Sequence, residues 1–344
     1  MLTVVVVPRE RFSFAVEQLR RVYETADVPF RLVYVDGNSP PYVQRALEAQ
    51  ARARGFELLR SDRFLTPNQA RNLGLSRVVT EYAVVIDNDC APHAGWLSKL
   101  LACALETGAD VIGPLYHLRE PEAGVLHMAG GHLSRRVVNG RKILFETHRW
   151  GDAPAASVDR PLVREPIDLV EWHCLLLRMH IWRRLGGLDE SLLNTREHVD
   201  FCMSVRDAGG SVWFEPEAHV SYMIPPPLET GDLPYYWLRW SEDWTERSLA
   251  YFNHKWDITH DPEHMNWTRA HRRLWLHGLD ERVLGKLYRI NRAWGLWAKR
   301  KLRQAEDGFN RLVVRTLMRC YLRRSRGTPI LTGATRLVRR RDAA

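Results

Sequence analysis

Two acidic groups stand where strongly apolar runs of this 344-residue chain end. Asp36 follows Phe30–Val35, and Asp87-Asn88-Asp89 follows Tyr82–Ile86. An aspartate after a strand is commonly a turn former or a helix cap, but two at equivalent strand ends favour a ligand site. Carboxylates on either side of one residue can share Mg²⁺ or Mn²⁺, which keeps open positions for phosphate oxygens. These residues predict metal-assisted chemistry on a phosphate-bearing ligand.

A third group of chemically capable side chains lies in Glu197-His198-Val199-Asp200, at the start of a predicted helix. A carboxylate or an imidazole at this place can accept a proton from a hydroxyl group. Asp200 lies one helical turn from Glu197, so it can instead cap the helix or pair with Arg206. The segment therefore predicts a general base without deciding which side chain it is.

The elements that must position these groups alternate along the first hundred residues. Strands are predicted at 3–7, 30–36, 56–59 and 82–87, and helices at 41–54, 67–79 and 96–106. Such alternation predicts right-handed βαβ units on a parallel sheet, which binds ligands beyond the carboxyl ends of its strands. Residues 113–165 show weak periodicity and are predicted to form irregular strands and a mobile loop, after which order resumes over 166–224.

Taken together, these motifs resemble the inverting family 2 glycosyltransferases over about residues 2–222. The resemblance implies a GT-A fold of the α/β class, with a Rossmann-like, mostly parallel sheet flanked by helices and then a helical C-terminal extension. The implied activity moves a sugar from a nucleoside-diphosphate donor, with UDP favoured, to an acceptor hydroxyl with inversion. The segments that carry the resemblance are the strand ending at Pro8, Val33–Ser39, Asn68–Leu75, Asp87–Asp89, Gly186–Glu190 and Glu197–Gly209.

The resemblance also implies roles on the donor side. Asp36 would contact the base or ribose, Arg71 would face the diphosphate, and Asp89 would ligate Mn²⁺ or Mg²⁺. Asp87 would face the ribose and share the metal. The remaining donor-binding candidates are Pro8, Asn38 and Asn88.

On the acceptor side, the family pattern Glu-Asp-x-Asp commonly uses its second residue as the base, and here that residue is His198. Glu197 is then the first candidate for the base, and His198 and Asp200 stay open. The implied acceptor-side residues are Trp172, His173 and Asp189.

A second departure from the family concerns the histidine that often completes the metal shell. Tyr222 stands at that place, and His219 lies three residues earlier, on the opposite face of a strand. His219 is therefore not an easy replacement. The metal would be held by one aspartate with diphosphate and water, or by a loop residue such as His117, and a metal-independent variant stays open.

Beyond the resemblance, the chain changes in composition. We predict a GT-A nucleotide-sugar-binding and catalytic domain over 1–224, a tryptophan-rich helical extension over 225–325, and a basic, flexible tail over 326–344. Eight of the 13 tryptophans lie between Trp237 and Trp297. Residues 282–344 carry a net charge of +15, so residues 1–281 carry a net charge of −6. A basic C-terminal helix of this kind can dock on an anionic membrane, or it can be a solvated or inter-subunit helix.

Composition narrows the classes of protein. No apolar run is long enough to span a membrane, no secretory leader is recognisable, and the five cysteines are scattered singly. We therefore expect a cytoplasmic protein, peripheral at the inner face of the membrane if the basic helix binds lipid. The expected partners are a nucleotide sugar and a sugar, lipid-linked or natural-product acceptor, and a homo-oligomer stays open.

Three other functions compete with glycosyl transfer. A phosphoryl-transfer enzyme should carry a Gly-rich phosphate loop with lysine, and none follows the first strand. A catalytically impaired nucleotide-sugar-binding protein is the main alternative, because His198 and Tyr222 depart from the pattern. Nucleic-acid binding through the basic tail is disfavoured, because no nucleic-acid fold motif supports it.

Overall fold

The protein is described from a computed structural model, which describes residues 1–225, 227–259, 262–277, 280–325 and 336–338. One large mixed sheet forms its centre, in the order β10-β7-β6-β12-β4-β1-β2-β3-β14, with β5, β11 and β13 attached. The strands are β1 (Leu2–Val7), β2 (Phe30–Gly37), β3 (Glu57–Ser61), β4 (Tyr82–Asp87), β5 (Cys90–Pro92), β6 (Val111–Leu118), β7 (Val125–Met128), β8 (Gly131–Val138), β9 (Arg141–His148), β10 (Ala153–Pro154), β11 (Glu165–Pro166), β12 (Cys174–Arg178), β13 (Val212–Tyr222) and β14 (Arg336–Val338).

Helices flank this sheet and form the C-terminal part of the described chain. They are α1 (Ala15–Thr25), α2 (Pro41–Arg54), α3 (Pro67–Leu75), α4 (Trp96–Thr107), α5 (Met179–Leu185), α6 (Glu197–Asp207), α7 (Leu233–Arg239), α8 (Glu242–Trp256), α9 (Pro262–Arg272), α10 (Gly285–Ile290) and α11 (Arg292–Ser325).

Three parallel pairs lie next to one another in the sheet, and β6 and β13 form a fourth. β1 pairs in parallel with β2 and β4, and β2 with β3, so these four strands end at one edge. All six residues of β1 and all six of β4 are buried, which explains their continuous apolar runs. β12 runs antiparallel between β4 and β6. The predicted α/β fold with a mostly parallel sheet is confirmed.

Local sequence signals explain where the helices begin and end. Thr66 and Gln69 form a reciprocal capping box before α3, with Pro67 at the first helical position. Gly55 ends α2 in the left-handed conformation, with φ of 75°. Gly74 brings α3 against the sheet, because a Cβ there would lie 2.3 Å from Cγ1 of Val5.

The region 113–165 is more regular than the sequence predicts. It contains β6, β7 and a two-stranded hairpin of β8 and β9, paired from Gly131↔His148 to Val138↔Arg141. The turn is Asn139-Gly140, with φ of 50° and 74°. Two positive φ values match the twist of a two-residue hairpin, and Asn-Gly supplies them at low cost. The strands predicted here as irregular are therefore a regular hairpin over 131–148, set by this turn.

The helices after residue 225 pack on the α/β body. Tyr235 and Phe252 belong to the main hydrophobic core, whereas Leu238, Trp244 and Val314 form a smaller second cluster. In the described residues, no helix combines the length and apolarity needed to cross a bilayer. The predicted tail of 326–344 lies outside the described residues, except for the backbone of 336–338.

Candidate active site

The aspartate after β2 is buried in a polar group with Ser39 and Arg60, called here the Asp36 group. Asp36 is buried and accepts hydrogen bonds from the backbone N–H of Ser39 at 2.9 Å and from its hydroxyl at 3.0 Å. Arg60, its register partner on β3, contacts the same carboxylate. Asn38 turns the chain in the left-handed conformation, with φ of 72°. A carboxylate and a guanidinium thus lie side by side where β2 and β3 end.

Pro8 and Asn88 fix the neighbouring strand ends. Pro8 lies so close to Gly37 that a Cβ on the glycine would be 2.8 Å from its Cγ. The Asn88 side chain accepts a hydrogen bond from the N–H of Arg9 at 2.9 Å and donates one to the carbonyl of Arg11 at 3.2 Å. Both ends of this amide therefore hold the segment after β1.

Asp87 is buried between two arginines. Nη1 of Arg9 lies 3.1 Å from its Oδ2, and Nη2 of Arg71 lies 3.5 Å from its Oδ1. Burial raises the pKa of Asp87 even though both cations oppose the shift. A carboxylate and two guanidinium groups thus meet in a space from which water is largely removed.

Asp89 and Asp87 both have carboxylate oxygens that the protein does not hydrogen-bond. Among the described residues, neither Oδ2 of Asp89 nor Oδ1 of Asp87 has a hydrogen-bond partner, although both atoms are buried. Burial, with the nearby charge of Glu10, raises the pKa of Asp89 to about 8. Unpaired buried carboxylate oxygens are costly without a partner, and a divalent cation is a partner of the right charge and hardness. These residues therefore fit Mn²⁺ or Mg²⁺.

Buried guanidinium groups in the same region also have unused donors. Nε of Arg71, and Nε and Nη1 of Arg239, have no hydrogen-bond partner among the described residues. Arg71 stacks its guanidinium 4.6 Å from the Trp172 ring centroid, and burial lowers its pKa, with a further lowering from Arg239 and Arg9. Clustered cations with unused N–H groups are suited to an anionic ligand with several oxygens.

Glu197 faces this cationic region from the first residue of α6. Its carboxylate is buried, and its Oε1 lies 3.8 Å from Nη2 of Arg239. Glu197 is also close enough to Arg71 to oppose the lowering of the pKa of that arginine. Glu197 shares a cavity of about 230 Å³ with Asn68, Asp189 and Asp200.

Asp200 is held by the C-terminal helices. Its Oδ1 lies 2.8 Å from Nζ of Lys255 and accepts a hydrogen bond from Nε1 of Trp256 at 2.7 Å. Pairing with Arg206 was the wrong interpretation, because Arg206 pairs with Asp168 at 2.9 Å. Both oxygens of Asp200 are used, since Oδ2 also accepts from Lys255 at 3.0 Å.

His198 points away from Glu197, towards two further carboxylates. Its Nε2 lies 2.9 Å from Oε1 of Glu146 and 3.6 Å from Oε1 of Glu171. Burial alone would lower the pKa of His198, but Glu171 and Glu146 raise it to about 9. His198 therefore pairs with Glu146 and Glu171 and does not line the cavity that holds Glu197.

The three predicted acceptor-side residues occupy different surroundings. Trp172 is buried between Arg71 and Phe201, with ring centroids of Trp172 and Phe201 4.7 Å apart. His173 is buried against Asp87 at 3.8 Å. Asp189 lines the cavity, where Lys255 lies 2.9 Å from its Oδ2 and Tyr251 donates to the same atom at 2.8 Å. Only Asp189 thus lies beside Glu197 in the cavity.

Tyr222 and His219 do face different surroundings. The Tyr222 hydroxyl donates to the Glu10 carboxylate at 3.1 Å, and the Tyr222 ring stacks on His173 with centroids 4.0 Å apart. Nδ1 of His219 lies 3.1 Å from Nε2 of His117. Tyr222 therefore borders the aspartate pair, whereas His219 and His117 contact each other.

Several residues of the site were missed at the sequence level. Arg9 and Glu10 directly follow the first strand, a position that could have drawn attention to them. Arg239 lies in the helical extension, to which no motif points. Glu146 and His148 lie on β9, in the region predicted as irregular.

Comparison with known proteins supports the resemblance that the motifs indicate. Residues 3–153 match the family model described as Glycosyl transferase family 2. The pre-mycofactocin glycosyltransferase of Mycobacterium tuberculosis is 27% identical over 168 residues, which cover 48% of this chain and 32% of that protein. Polypeptide N-acetylgalactosaminyltransferase 15 of Mus musculus is 27% identical over 179 residues, 51% of this chain and 27% of that protein. The matches thus span about a third or less of these relatives' length.

A solved structure shares the fold at low sequence identity. The crystal structure of GalNAc-T7 with UDP, GalNAc and Mn²⁺ superposes with a TM-score of 0.52 and 13% identity, covering 83% of this chain and 57% of that one. The central sheet, its flanking helices and the helical C-terminal region are those of a GT-A protein. This chain therefore has the GT-A fold, and its resemblance to the family 2 glycosyltransferases is confirmed.

Proposed function

We propose that this chain transfers a sugar from a nucleoside-diphosphate donor, with UDP favoured, to an acceptor hydroxyl with inversion at the sugar carbon. The observation that carries the proposal is the convergence of Asp36, Asp87 and Asp89 at one sheet edge with buried arginines whose donors are unused. The Asp36 group, the aspartate pair and the arginines would bind, respectively, the nucleoside, the metal ion and the diphosphate of such a donor. The GT-A fold and the family match support the same activity.

The nucleoside end of the donor is assigned to the Asp36 group, which consists of Asp36, Ser39 and Arg60. Asp36 is held by Ser39 and Arg60, so its carboxylate needs no reorganisation to accept a uracil N–H or a ribose hydroxyl. Pro8, Asn38 and Asn88 shape the surrounding strand ends.

The diphosphate is assigned to Arg71 and Arg239, whose unused N–H groups would bind its oxygens. Asp89, with Asp87, would hold Mn²⁺ or Mg²⁺, and the ion would neutralise charge on the departing diphosphate. Arg9 occupies the same region through its contact with Asp87, and it would add to the positive potential there.

The acceptor proton is assigned to Glu197. Its carboxylate lies in the cavity with Asp189 and borders the cationic region through Arg239. A base on this side of the sugar would take the hydroxyl proton while the oxygen attacks the sugar carbon opposite the diphosphate. Asp200 is fully paired and His198 is directed at Glu146, so neither competes for this role.

The first test measures turnover and donor binding separately. Glu197→Gln should lower kcat by about 100-fold or more, while the affinity for the nucleotide sugar with Mn²⁺ changes little. The matched control is Glu190→Gln, because Glu190 contacts Asn72 at 2.9 Å and lies outside the proposed machinery. Equal turnover of Glu197→Gln and wild type would remove Glu197 as the base.

Donor identity and metal dependence are read from thermal stabilisation with a panel of nucleotide sugars. UDP-sugars with Mn²⁺ should stabilise the wild type most, and Asp89→Asn should lose the dependence on Mn²⁺. A wild type that no nucleotide sugar stabilises, with or without Mn²⁺, would contradict the proposed donor site.

A lipid surface is the proposed location of the acceptor. Ile290, Trp294 and Trp297 are 79%, 64% and 62% exposed, in a helical hairpin of α10 and the start of α11. Arg289, Arg292, Arg300 and Lys301 lie within a few residues of them in the sequence. Exposed tryptophans among basic residues are suited to the interface of an anionic membrane.

Vesicle sedimentation of the full chain tests this docking surface. Binding to phosphatidylcholine vesicles that contain phosphatidylserine should fall by about 10-fold or more in Trp294→Ser/Trp297→Ser. Val79→Ser is the control, since Val79 is 73% exposed and lies outside the hairpin. Wild type that fails to sediment with anionic vesicles would contradict the membrane proposal.

A further inference from the structure

Four ligand-type side chains from three separate segments converge beside the candidate active site. Glu146 and His148 project from β9, Glu171 precedes β12, and His198 is the second residue of α6. One nitrogen or oxygen of each lies within 4.8 Å of the others. In the part of the chain that the structure describes, no other group of three or more such side chains comes this close.

The distances inside this group are those of a coordination shell. His148 Nε2 lies 2.8 Å from Oε1 of Glu146 and 3.7 Å from Oε1 of Glu171. His198 Nε2 lies 2.9 Å and 3.6 Å from the same two oxygens. Four ligands at zinc-binding distances from a tetrahedral ion would lie about 3.3 Å apart. The observed separations bracket that value, so small side-chain movements suffice.

The chemistry of the group selects the class of ion. Two imidazoles and two carboxylates suit Zn²⁺ and neighbouring first-row divalent ions, whereas Mg²⁺ and Ca²⁺ prefer oxygen-only shells. A bound ion displaces any proton from the two imidazoles, and two neutral imidazoles with two carboxylates then balance a charge of +2. The four side chains are only 12–26% exposed, so an ion can enter and then be largely shielded from water.

An outer residue already orients one of the ligands. Arg196 contacts Oε2 of Glu146 and so leaves Oε1 directed at the two histidines. Arg196 has φ of 64°, a left-handed conformation that is uncommon for residues other than glycine. Such strain persists where the surroundings hold it, as they commonly do at functional sites.

We propose that Glu146, His148, Glu171 and His198 form a metal site for a first-row divalent ion of the Zn²⁺ type, separate from Asp87 and Asp89. The ion joins the β8–β9 hairpin to the first turn of α6. Because His198 directly follows Glu197, occupation of the site fixes the position of the proposed base. His198, which departs from the family pattern, is then a metal ligand that positions the proposed base Glu197.

The test uses the full chain without a histidine tag, stripped with a chelator and titrated with Co²⁺ and then Zn²⁺. Wild type should bind one Co²⁺ with the visible absorption of a four-coordinate ion, beside any ion held by Asp87 and Asp89, and Zn²⁺ should displace it. His148→Gln and Glu171→Gln should each weaken Zn²⁺ binding by about 100-fold or more. Two controls should retain the site: His132→Gln, an exposed histidine on β8, and Asp89→Asn.

The outcomes separate a metal site from a network held by protons alone. A wild type that shows no Co²⁺ absorption and no Zn²⁺ binding overturns the proposal, as does unchanged affinity in His148→Gln. Circular dichroism of the metal-free variants shows whether they fold. If both ligand variants are unfolded, Asp89→Asn decides, because it must still bind one four-coordinate Co²⁺.

Discussion

At the scale of single residues, the site buries ionisable side chains that the protein itself only partly satisfies. Asp87, Asp89, Arg71 and Arg239 all have buried polar atoms without hydrogen-bond partners among the described residues. Such atoms lower stability by about 1–3 kcal/mol each when nothing binds them. Because these atoms destabilise the free protein, their concentration at one sheet edge is better explained by binding of a polar ligand.

The neighbouring histidines His117, His219 and His93 give a pH dependence. Burial and the electrostatic repulsion of His219 and His93 lower the pKa of His117 from its ordinary value of 6.5 to about 4. Between these pH values the unfolded chain binds a proton that the folded chain does not, so stability falls as pH drops from 6.5 to 4. His117→Gln should flatten this fall by up to about 3 kcal/mol.

Urea unfolding at pH 5 and pH 7, followed by tryptophan fluorescence, measures this effect. The wild type should lose more stability than His117→Gln between the two pH values. The same loss in both proteins would show that His117 does not titrate as its buried position implies.

At the scale of elements, the β8–β9 hairpin determines where Glu146 and His148 lie. Its strands pair with each other over eight residue pairs, and the Asn139-Gly140 turn favours this register. The first turn of α6 then supplies both Glu197 and His198 to two adjoining sites. A local turn and a helix start thus decide the geometry of the acceptor side.

Gly140→Ala tests the importance of that turn. A Cβ at Gly140 meets no atom within 4 Å, but its φ of 74° is unfavourable for alanine. The hairpin should lose about 1 kcal/mol, and the amides of 131–148 should exchange hydrogen faster. Gly308→Ala is the matched control, since Gly308 is also unobstructed but lies in α11, where alanine should stabilise by about 0.5–1 kcal/mol. Unchanged exchange in Gly140→Ala would contradict the role of the turn.

At the scale of the whole molecule, the C-terminal helices complete the α/β body. Arg239 from α7 and Lys255 from α8 reach Glu197 and Asp200, and His271 from α9 lies 3.3 Å from Glu10. α9 is joined in turn to α11 by a buried ion pair, in which Arg272 donates to both oxygens of Glu306 at 2.7 Å. We therefore expect the described helices and the sheet to unfold together.

Glu306→Gln should lower the free energy of unfolding by about 3 kcal/mol, because it leaves a buried guanidinium with reduced compensation. Asp243→Asn is the control: it breaks an ion pair with Arg247 whose side chains are 52% and 55% exposed, and it should cost no more than about 0.5 kcal/mol. Denaturant unfolding should show a single transition in both variants. Separate transitions for the sheet and the helices would contradict their joint unfolding.

The sequence by itself determined the α/β sheet, the helices between its strands and the aspartates at the strand ends. These are local properties: apolar runs make buried strands, capping residues start helices, and Asp36 and Asp87 directly follow their strands. It also indicated the helical character of 230–325, where an apolar stripe recurs.

Only the tertiary structure decided which distant side chains meet. Arg239 reaches Glu197, Lys255 rather than Arg206 pairs with Asp200, and Glu146 pairs with His198. The reason is that a side chain's partner depends on how elements far apart in the chain pack. Periodicity and spacing report only the face of one element, and they carry no information about what packs opposite.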